Sequence, residues 1–285
     1  DQPRSRGLGD VYKRQVVHMP KGSSKSRFDN IAKEGAKVTI EEVNYDDCVR
    51  MAAAEAAQTE HGVIVQDTAW DGYEEIPSWI MQGYGTMANE AADQLRQCSV
   101  NRPTHVFVQA GVGSLAGAVV GYFANLFPND PPKFVVMEAG AADCLYQGAL
   151  ANDGKPRIVT GDLKTIMAGL ACGEPNTISW DILRNHVSAF ISCPDWVSAK
   201  GMRMLSSPVK SDPRVVSGES GAVGMGVLDA IMCDDTYKEL RDALELDRHS
   251  RVLMFSTEGN TDPEKYRRVV WDGEYPTDDT PQKPC

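Results

Sequence analysis

The 285-residue sequence lacks an excess of basic side chains. It contains 29 Lys and Arg against 40 Asp and Glu, which gives a formal charge of -11 at pH 7. A protein that neutralises a phosphate backbone needs a broad cationic surface. The composition therefore argues against nucleic acid as a partner.

Long hydrophobic runs are also lacking. The apolar stretch around residues 116–127 contains Gly and Asn, and it falls short of the roughly 18 uninterrupted apolar residues of a membrane-spanning helix. We therefore expect a soluble, cytoplasmic protein with no membrane partner. With 42% hydrophobic and 24% charged residues, the chain has the composition of a globular enzyme with one large α/β domain or two lobes.

Cysteines are few and scattered. No CxxC pair and no histidine at ligand spacing accompanies them, so we expect no metal site and reduced, mostly buried thiols. The seven are Cys48, Cys98, Cys144, Cys172, Cys193, Cys233 and Cys285. Spacing alone does not decide whether a pair such as Cys144 and Cys172 forms a disulfide.

The first fifteen residues, DQPRSRGLGDVYKRQ, have neither helix nor strand periodicity. They resemble translated sequencing-adaptor sequence, and no initiator Met precedes them. We therefore predict that residues 1–15 are non-native and exclude them from the fold. If the gene was cut at Val16, any catalytic group upstream is missing.

Apolar strands and amphipathic helices alternate along the chain, which predicts an α/β fold with a parallel sheet. We expect Asn44 to cap a helix over residues 46–61. The predicted strands are 16–19, 37–40, 63–66, 105–109, 134–138 and 252–256, and the predicted helical segments are 24–34, 46–61, 78–97, 114–126, 145–150, 181–185, 199–205 and 234–246. Residues 67–77 are expected to form an ordered connection between lobes.

The strongest local signal is the segment QAGVGSLAG (Gln109 to Gly117), between a predicted strand and a predicted helix. A glycine-rich turn there directs backbone N–H groups and the helix dipole at an anion, which favours a phosphate. The segment has neither a Walker lysine nor full GxGxxG spacing. A simple tight turn is the alternative interpretation.

Two further clusters of Gly and hydroxyl residues lie at the ends of predicted strands: SGESG (Ser217 to Gly221), after Val215 and Val216, and STEG (Ser256 to Gly259), at the end of the strand over 252–256. Ligands of open parallel sheets lie beyond the carboxyl ends of the strands. Three such loops facing one crevice would suit a phosphorylated cofactor with a ring. Taken singly, each of these two clusters is typical of a turn.

Five longer motifs together closely resemble the diaminopropionate ammonia-lyase family, pyridoxal-phosphate enzymes of the tryptophan-synthase-β group (fold type II). They are MPKGSS (Met19 to Ser24), QDTAWDGYEEIPSWIMQGYGTM (Gln66 to Met87), PTHVFVQAGVGSLAGAVVGYF (Pro103 to Phe123), SGESGAVGMG (Ser217 to Gly226) and FSTEGNTDPEKYRRVVWDG (Phe255 to Gly273). The resemblance runs from Val16 to about Gly273. It implies two open, twisted, mostly parallel sheets flanked by helices.

The resemblance also implies a reaction and a cofactor. The family eliminates ammonia from 2,3-diaminopropionate, and hydrolysis of the resulting enamine gives pyruvate and a second ammonia. Pyridoxal 5'-phosphate delocalises the carbanion left when the Cα proton is removed.

The resemblance further assigns individual residues. Gly111, Val112, Gly113, Ser114 and Leu115 match the phosphate-binding loop. Ser256 or Thr257 would contact the pyridine nitrogen, and Glu219 would line the far side of the ring.

A carboxylate at Asp67 would hold or relay a proton at the second amino group of the substrate. A turn-capping Asp is the alternative, which we disfavour because Trp70 and Tyr73 beside it suggest a semi-enclosed site. Glu138, at the end of a predicted strand, is expected either to face the same crevice or to play a structural role.

In this family the Schiff-base lysine lies upstream of the MPKGSS motif, and therefore upstream of residue 16 here. We expect the chain to be an inactive fragment of a homodimeric enzyme. The predicted division is 1–15 adaptor-like, 16–75 small α/β domain and connection, 76–276 large cofactor-binding domain, and 277–285 tail. The alternatives are a serine or threonine dehydratase-like lyase and a non-catalytic protein that binds a phosphorylated ligand.

Overall fold

The computed structural model of the protein describes residues 14–277. Most of the predicted adaptor-like segment, up to residue 13, and the tail from residue 278 lie outside the described residues. The chain divides into two compact units, one ending at Ile64 and the other starting at Val65. The Gln15 carbonyl accepts a hydrogen bond from the Lys37 N–H at 2.9 Å, so regular pairing begins by residue 15. The four-part domain division stays a prediction.

The first unit is a two-stranded parallel sheet with two helices. Asn44 caps the second helix as predicted, since its side chain accepts a hydrogen bond from the N–H of Asp47 at 3.0 Å. The two strands pair from Val16 opposite Lys37 to Met19 opposite Ile40. The elements are β1 (Val16–Met19), α1 (Lys25–Ala32), β2 (Lys37–Ile40) and α2 (Tyr45–Gln58).

The strand predicted over residues 63–66 is wrong. This segment has no regular secondary structure, and Val63 and Val65 are 65% and 70% exposed. Its β-branched residues favour an extended backbone, but a strand also needs a hydrogen-bonded partner and a buried face. No described strand pairs with it.

The second unit contains the larger sheet and most of the helices. Its α-helices and strands are α3 (Glu75–Gln97), β3 (His105–Gln109), α4 (Ser114–Leu126), β4 (Lys133–Ala139), α5 (Cys144–Ala151), α6 (Thr177–His186), β5 (Val187–Cys193), α7 (Asp195–Ser206), α8 (Glu219–Cys233), α9 (Lys238–Leu244), β6 (Val252–Met254) and α10 (Pro263–Val270). Short 3-10 turns occupy Ala168–Leu170 and Asp235–Tyr237. None of the helices between residues 14 and 277 is long and apolar enough to cross a membrane.

The larger sheet has the strand order β5-β4-β3-β6, and every pairing in it is parallel. Its two faces bury separate cores. Phe107 and Met137 point into a core that includes residues of α7 and α8, whereas Val108 and Val136 point into a core that includes residues of α3 and α4. Burial on both faces explains the continuous apolar runs in β3 and β4. The predicted α/β class with parallel sheets flanked by helices is confirmed.

Two local predictions in the second unit need correction, and one strand was not predicted. The helix predicted over residues 234–246 is a 3-10 turn followed by α9, and it ends where Glu245 adopts a left-handed φ of 56°. Val215 and Val216 do not form a strand, and the SGESG cluster instead opens α8. Strand β5 was not predicted. Its residues are mostly half-buried at one side of the sheet, so the apolar signal is weaker than in β3 and β4.

Two glycines of α4 have different packing roles. A Cβ at Gly117 would clash with the Ser179 Oγ of α6, whereas a Cβ at Gly121 would meet nothing closer than 3.8 Å. Gly117 therefore allows close approach to another helix.

We expect Gly117→Ala to destabilise the protein by about 1–3 kcal/mol, the usual cost of overpacking. Gly121→Ala is the matched control in the same helix, and it should be neutral or stabilise by up to about 1 kcal/mol because Ala favours helix. Urea unfolding of both variants measures the difference. Equal midpoints would show that the contact with Ser179 does not limit packing.

Candidate active site

The glycine-rich turn after β3 has the geometry of an anion site. Gly113 precedes α4 with a left-handed φ of 99°, and no side chain caps this helix or places an acidic group in its first turn. The first intrahelical hydrogen bond runs from the N–H of Gly117 to the carbonyl of Gly113 at 2.7 Å. The preceding N–H groups at the positive end of the helix dipole are therefore available to an anion.

Asn176 holds this turn in place from within the protein interior. Its backbone N–H donates to the Val112 carbonyl at 2.8 Å, and its side-chain Nδ2 donates to the Ser114 Oγ at 2.9 Å. The same Nδ2 donates to the Asp67 carbonyl at 2.8 Å, to which the Ser114 hydroxyl also donates at 2.7 Å. Asn176 is fully buried, and it joins the predicted phosphate loop to the segment that carries Asp67. Sequence reasoning missed this residue.

The Asp67 side chain is half-buried and has neutral hydrogen-bond partners. Its Oδ2 accepts a hydrogen bond from the Tyr84 hydroxyl of α3 at 3.2 Å. Burial raises the pKa of the Asp67 carboxyl, and hydrogen bonds from Tyr84, from its own backbone and from Ser114 partly oppose that rise. No Lys, Arg or His within residues 14–277 forms an ion pair with it.

Two aromatic side chains support the segment that follows Asp67. Trp70 and Tyr73 stack with ring centroids 4.5 Å apart. The Tyr73 hydroxyl accepts a hydrogen bond from the Gln66 N–H at 3.1 Å and donates to the Gln66 carbonyl at 3.3 Å. The sequence suggested that these rings semi-enclose a site. The contacts show that they also fix the turn on which Asp67 lies.

The STEG loop after β6 is tied to the strand that leads into the phosphate loop. Gln109, the last residue of β3, donates from its side-chain Nε2 to the Phe255 carbonyl at 2.9 Å and to the Thr257 Oγ1 at 2.8 Å. The Ser256 hydroxyl donates to the Ser217 Oγ at 2.8 Å. The predicted cluster of three loops is therefore joined by side-chain hydrogen bonds. The assignment of Ser256 or Thr257 to a pyridine nitrogen stays a prediction.

Glu219 lies in the first turn of α8 and is 3% exposed. Its Oε1 lies 3.7 Å from the Lys265 Nζ. The neighbouring Ser220 N–H donates to the Glu258 Oε1 at 2.7 Å, and the Gly218 N–H donates to the Glu258 carbonyl at 2.9 Å. The SGESG and STEG clusters thus contact each other through Glu258. The predicted contact of Glu219 with a cofactor ring is untested.

Glu138 has a structural contact within the protein interior. Its Oε1 and Oε2 accept hydrogen bonds from the N–H groups of Leu145 and Tyr146, at 2.9 and 2.7 Å, at the start of α5. Burial raises the pKa of this carboxyl to about 8, although these two N–H groups lower it. Of the two roles that the sequence left open, the contacts favour the structural one.

None of the described cysteines forms a disulfide; four of them are buried and two exposed. Cys144 and Cys172 belong to the buried group, so the disulfide that the spacing left open does not form between them. The buried members are Cys48, Cys144, Cys172 and Cys193.

The residues at the carboxyl ends of the strands fit a phosphorylated cofactor with a neutral ring partner. The uncapped N-terminus of α4 provides amide donors for a dianion, and Ser256 and Thr257 provide hydroxyl groups on an adjoining loop. This donor set is of the kind that α/β enzymes use to bind the phosphate of an organic cofactor beyond the edge of a parallel sheet. The chain belongs to the pyridoxal-phosphate dependent enzyme family, whose model matches residues 9–258.

Comparisons with individual proteins agree with this class. The chain is 52% identical over 259 residues to diaminopropionate ammonia-lyase of Salmonella typhimurium, a match that covers 90% of this chain and 64% of that protein. The crystal structure of the Escherichia coli diaminopropionate ammonia-lyase in complex with D-serine matches with a TM-score of 0.85 and 46% identity, over 93% of this chain and 65% of that one.

Maize serine racemase shares the fold, with a TM-score of 0.69 at 18% identity over 91% of this chain and 70% of that one. The chain thus spans about two thirds of the length of the ammonia-lyases that it resembles. The predicted resemblance, fold type and cofactor, pyridoxal 5'-phosphate, are confirmed.

Proposed function

We propose that this chain is part of a pyridoxal-phosphate lyase that eliminates ammonia from 2,3-diaminopropionate and gives pyruvate. The observation that carries the proposal is the Asp67 carboxylate, which is half-buried, hydrogen-bonded by the neutral Tyr84 hydroxyl and without an ion-pair partner among the described residues. A cationic amino group of the substrate supplies the missing partner. A substrate with a second ammonium, as in 2,3-diaminopropionate, satisfies this requirement.

The cofactor supplies an electron sink for the pair left when the Cα proton is removed. The N-terminus of α4, with Gly111, Val112, Gly113, Ser114 and Leu115, binds its phosphate and sets its position. A neutral hydroxyl from Ser256 or Thr257 at the ring nitrogen limits full protonation of the ring. Glu219 is proposed to lie on the far side of the ring.

Asp67 binds the second ammonium of the substrate and keeps that nitrogen protonated. The electron pair of the broken Cα–H bond forms the Cα–Cβ double bond. The electron pair of the Cβ–N bond leaves with the nitrogen, which departs as neutral ammonia. Hydrolysis of the released enamine consumes one water and yields pyruvate and a second ammonia. The overall reaction therefore gives two ammonia molecules for each pyruvate.

The Schiff-base lysine is proposed to lie in sequence that precedes this chain. Two observations support this. The matched relatives are longer than this chain, which covers 64% of their length. None of the lysines of this chain, including Lys21, Lys164 and Lys200, lies in the lysine motif of the family. We also propose a homodimer that works in the cytoplasm. The reduced thiols of the described cysteines support that compartment.

The test uses the chain extended upstream by the sequence that its natural gene encodes. Loaded with pyridoxal phosphate, the extended protein should release two ammonia molecules for each pyruvate from 2,3-diaminopropionate. Borohydride should fix a pyridoxyl group to the extended protein and not to residues 1–285 alone. Pyruvate from serine or threonine and none from the diamine would favour a dehydratase. Failure to bind the cofactor would overturn the proposal.

A further inference from the structure

Tyr84 is the one side chain of α3 that donates a hydrogen bond to the Asp67 carboxylate among residues 14–277, at 3.2 Å from Oη to Oδ2. The two residues are 17 positions apart, and neither belongs to the phosphate loop. Burial, followed by the charge of Asp67, raises the pKa of Tyr84 to about 12. Tyr84 therefore remains a protonated donor throughout the neutral pH range.

The contacts of Asp67 divide between its main chain and its side chain. Ser114 and Asn176 both donate to its carbonyl oxygen, which fixes the backbone next to the phosphate loop. The carboxylate itself interacts with Ser114 and with its own backbone N–H as well as with Tyr84. The Tyr84 hydroxyl further restricts rotation of the carboxylate about its side-chain bonds, because it holds Oδ2 from helix α3.

The residues on either side of Tyr84 in the sequence are both glycine. Gly83 and Gly85 flank it within α3, and a Cβ at either position would meet no described atom within 4 Å. Glycine inside a helix lowers its stability, and no close packing among the described residues explains either glycine. Gly83 is exposed and Gly85 is half-buried, so no side chain at either position stands beside Tyr84.

We propose that Tyr84 is a positioning residue that orients the Asp67 carboxylate toward the second ammonium of the substrate and keeps it ionised. The inference rests on the proposed function and deepens it, because it names what prepares Asp67 to bind a cation. Two titratable groups of the described residues interact with Asp67. They are Tyr84, through the hydrogen bond, and Tyr73, whose pKa the charge of Asp67 helps to raise.

The sign of the pH effect follows from the hydrogen bond. Tyr84 donates to the ionised carboxylate and so lowers the pKa of Asp67. Removal of the hydroxyl in Tyr84→Phe therefore raises that pKa. If the ionised form binds the substrate, the acidic limb of kcat/KM moves to higher pH.

The experiment compares Tyr84→Phe and Tyr122→Phe in the extended, cofactor-loaded protein. Tyr122 of α4 donates to the Asn89 Oδ1 of α3 at 2.8 Å, so its replacement removes a tyrosine hydrogen bond that also involves α3 but lies away from Asp67. We expect Tyr84→Phe to lower kcat/KM for 2,3-diaminopropionate about tenfold at neutral pH, since a hydrogen bond to a charged group is removed. Its acidic limb should move to higher pH, and Tyr122→Phe should change neither quantity.

A second readout does not depend on turnover. Carboxyl ¹³C NMR of protein labelled at Asp reports the titration of Asp67, identified by its loss in Asp67→Asn. It should shift to higher pH in Tyr84→Phe and stay unchanged in Tyr122→Phe. If the parent protein releases no ammonia from the diamine but this shift is seen, the proposed function fails and the contact stands. An unchanged titration of Asp67 in Tyr84→Phe would overturn the positioning role, whatever the activity.

Discussion

Replacing Asp67 by Asn should lower the rate of pyruvate release from 2,3-diaminopropionate by about 10²- to 10⁴-fold, the usual contribution of a general acid or base. Asn keeps the shape of the side chain and can still accept a hydrogen bond from the Tyr84 hydroxyl. It loses the negative charge that pairs with the second ammonium. The effect should be seen in the extended protein by a coupled pyruvate assay under saturating cofactor.

Asp71→Asn is the matched control. It removes the same charge four residues further along the same segment, at an exposed position. We expect its rate to stay within about twofold of the parent, because exposed charges contribute little. If both variants lost activity equally, a general effect of charge or folding would replace the specific role of Asp67. If Asp67→Asn kept full activity, Asp67 would not take part.

A Cβ at Gly113 should weaken binding of pyridoxal phosphate. The residue has a φ of 99°, and an added Cβ would stand 3.0 Å from the Ser179 Oγ and 3.2 Å from the Leu183 Cδ1. A side chain in such a conformation costs about 1–3 kcal/mol. Either the loop shifts, which turns its N–H groups away from the phosphate, or α6 moves to make room for the Cβ. We expect Gly113→Ala to raise the Kd of the cofactor roughly tenfold to a hundredfold, since about 1.4 kcal/mol corresponds to a factor of ten.

Absorbance titration of the extended apoprotein with pyridoxal phosphate measures this change. Gly121→Ala, in the same helix but with no atom closer than 3.8 Å to its Cβ, should leave the Kd unchanged. The same Kd for Gly113→Ala and the parent protein would show that the N-terminus of α4 does not bind the phosphate. A loss of helical circular dichroism in Gly113→Ala alone would point to unfolding, and Ser114→Ala then tests the loop by a smaller change.

Local signals in the sequence predict the part of the fold that contains the phosphate loop. Strand β3 and helix α4 have the predicted bounds, 105–109 and 114–126. A continuous apolar run, a glycine turn and a small-residue helix follow one another there, and each signal is contained within a few residues. The resemblance in the longer motifs then identified the cofactor, which the loop alone does not distinguish from other phosphates.

Contacts between distant segments were not predictable in the same way. Asn176 is 109 residues from Asp67 in the chain, and its neighbours in sequence indicate only a helix cap, a role that it also fills by accepting from the Ser179 N–H. Tyr84 lies inside a recognised motif, but its hydroxyl is directed at Asp67 by the packing of α3. The wrong strand over residues 63–66 has the same origin, because pairing depends on a partner that the local sequence does not specify.

The most direct test of the account is the substrate preference of the extended protein and its Asp67→Asn variant. The ratio of kcat/KM for 2,3-diaminopropionate to that for serine, which has a hydroxyl in place of the second ammonium, isolates the contribution of the carboxylate. We predict that the parent protein prefers the diamine and that the preference falls at least tenfold in the variant. An unchanged ratio would contradict the claim that Asp67 recognises the second amino group.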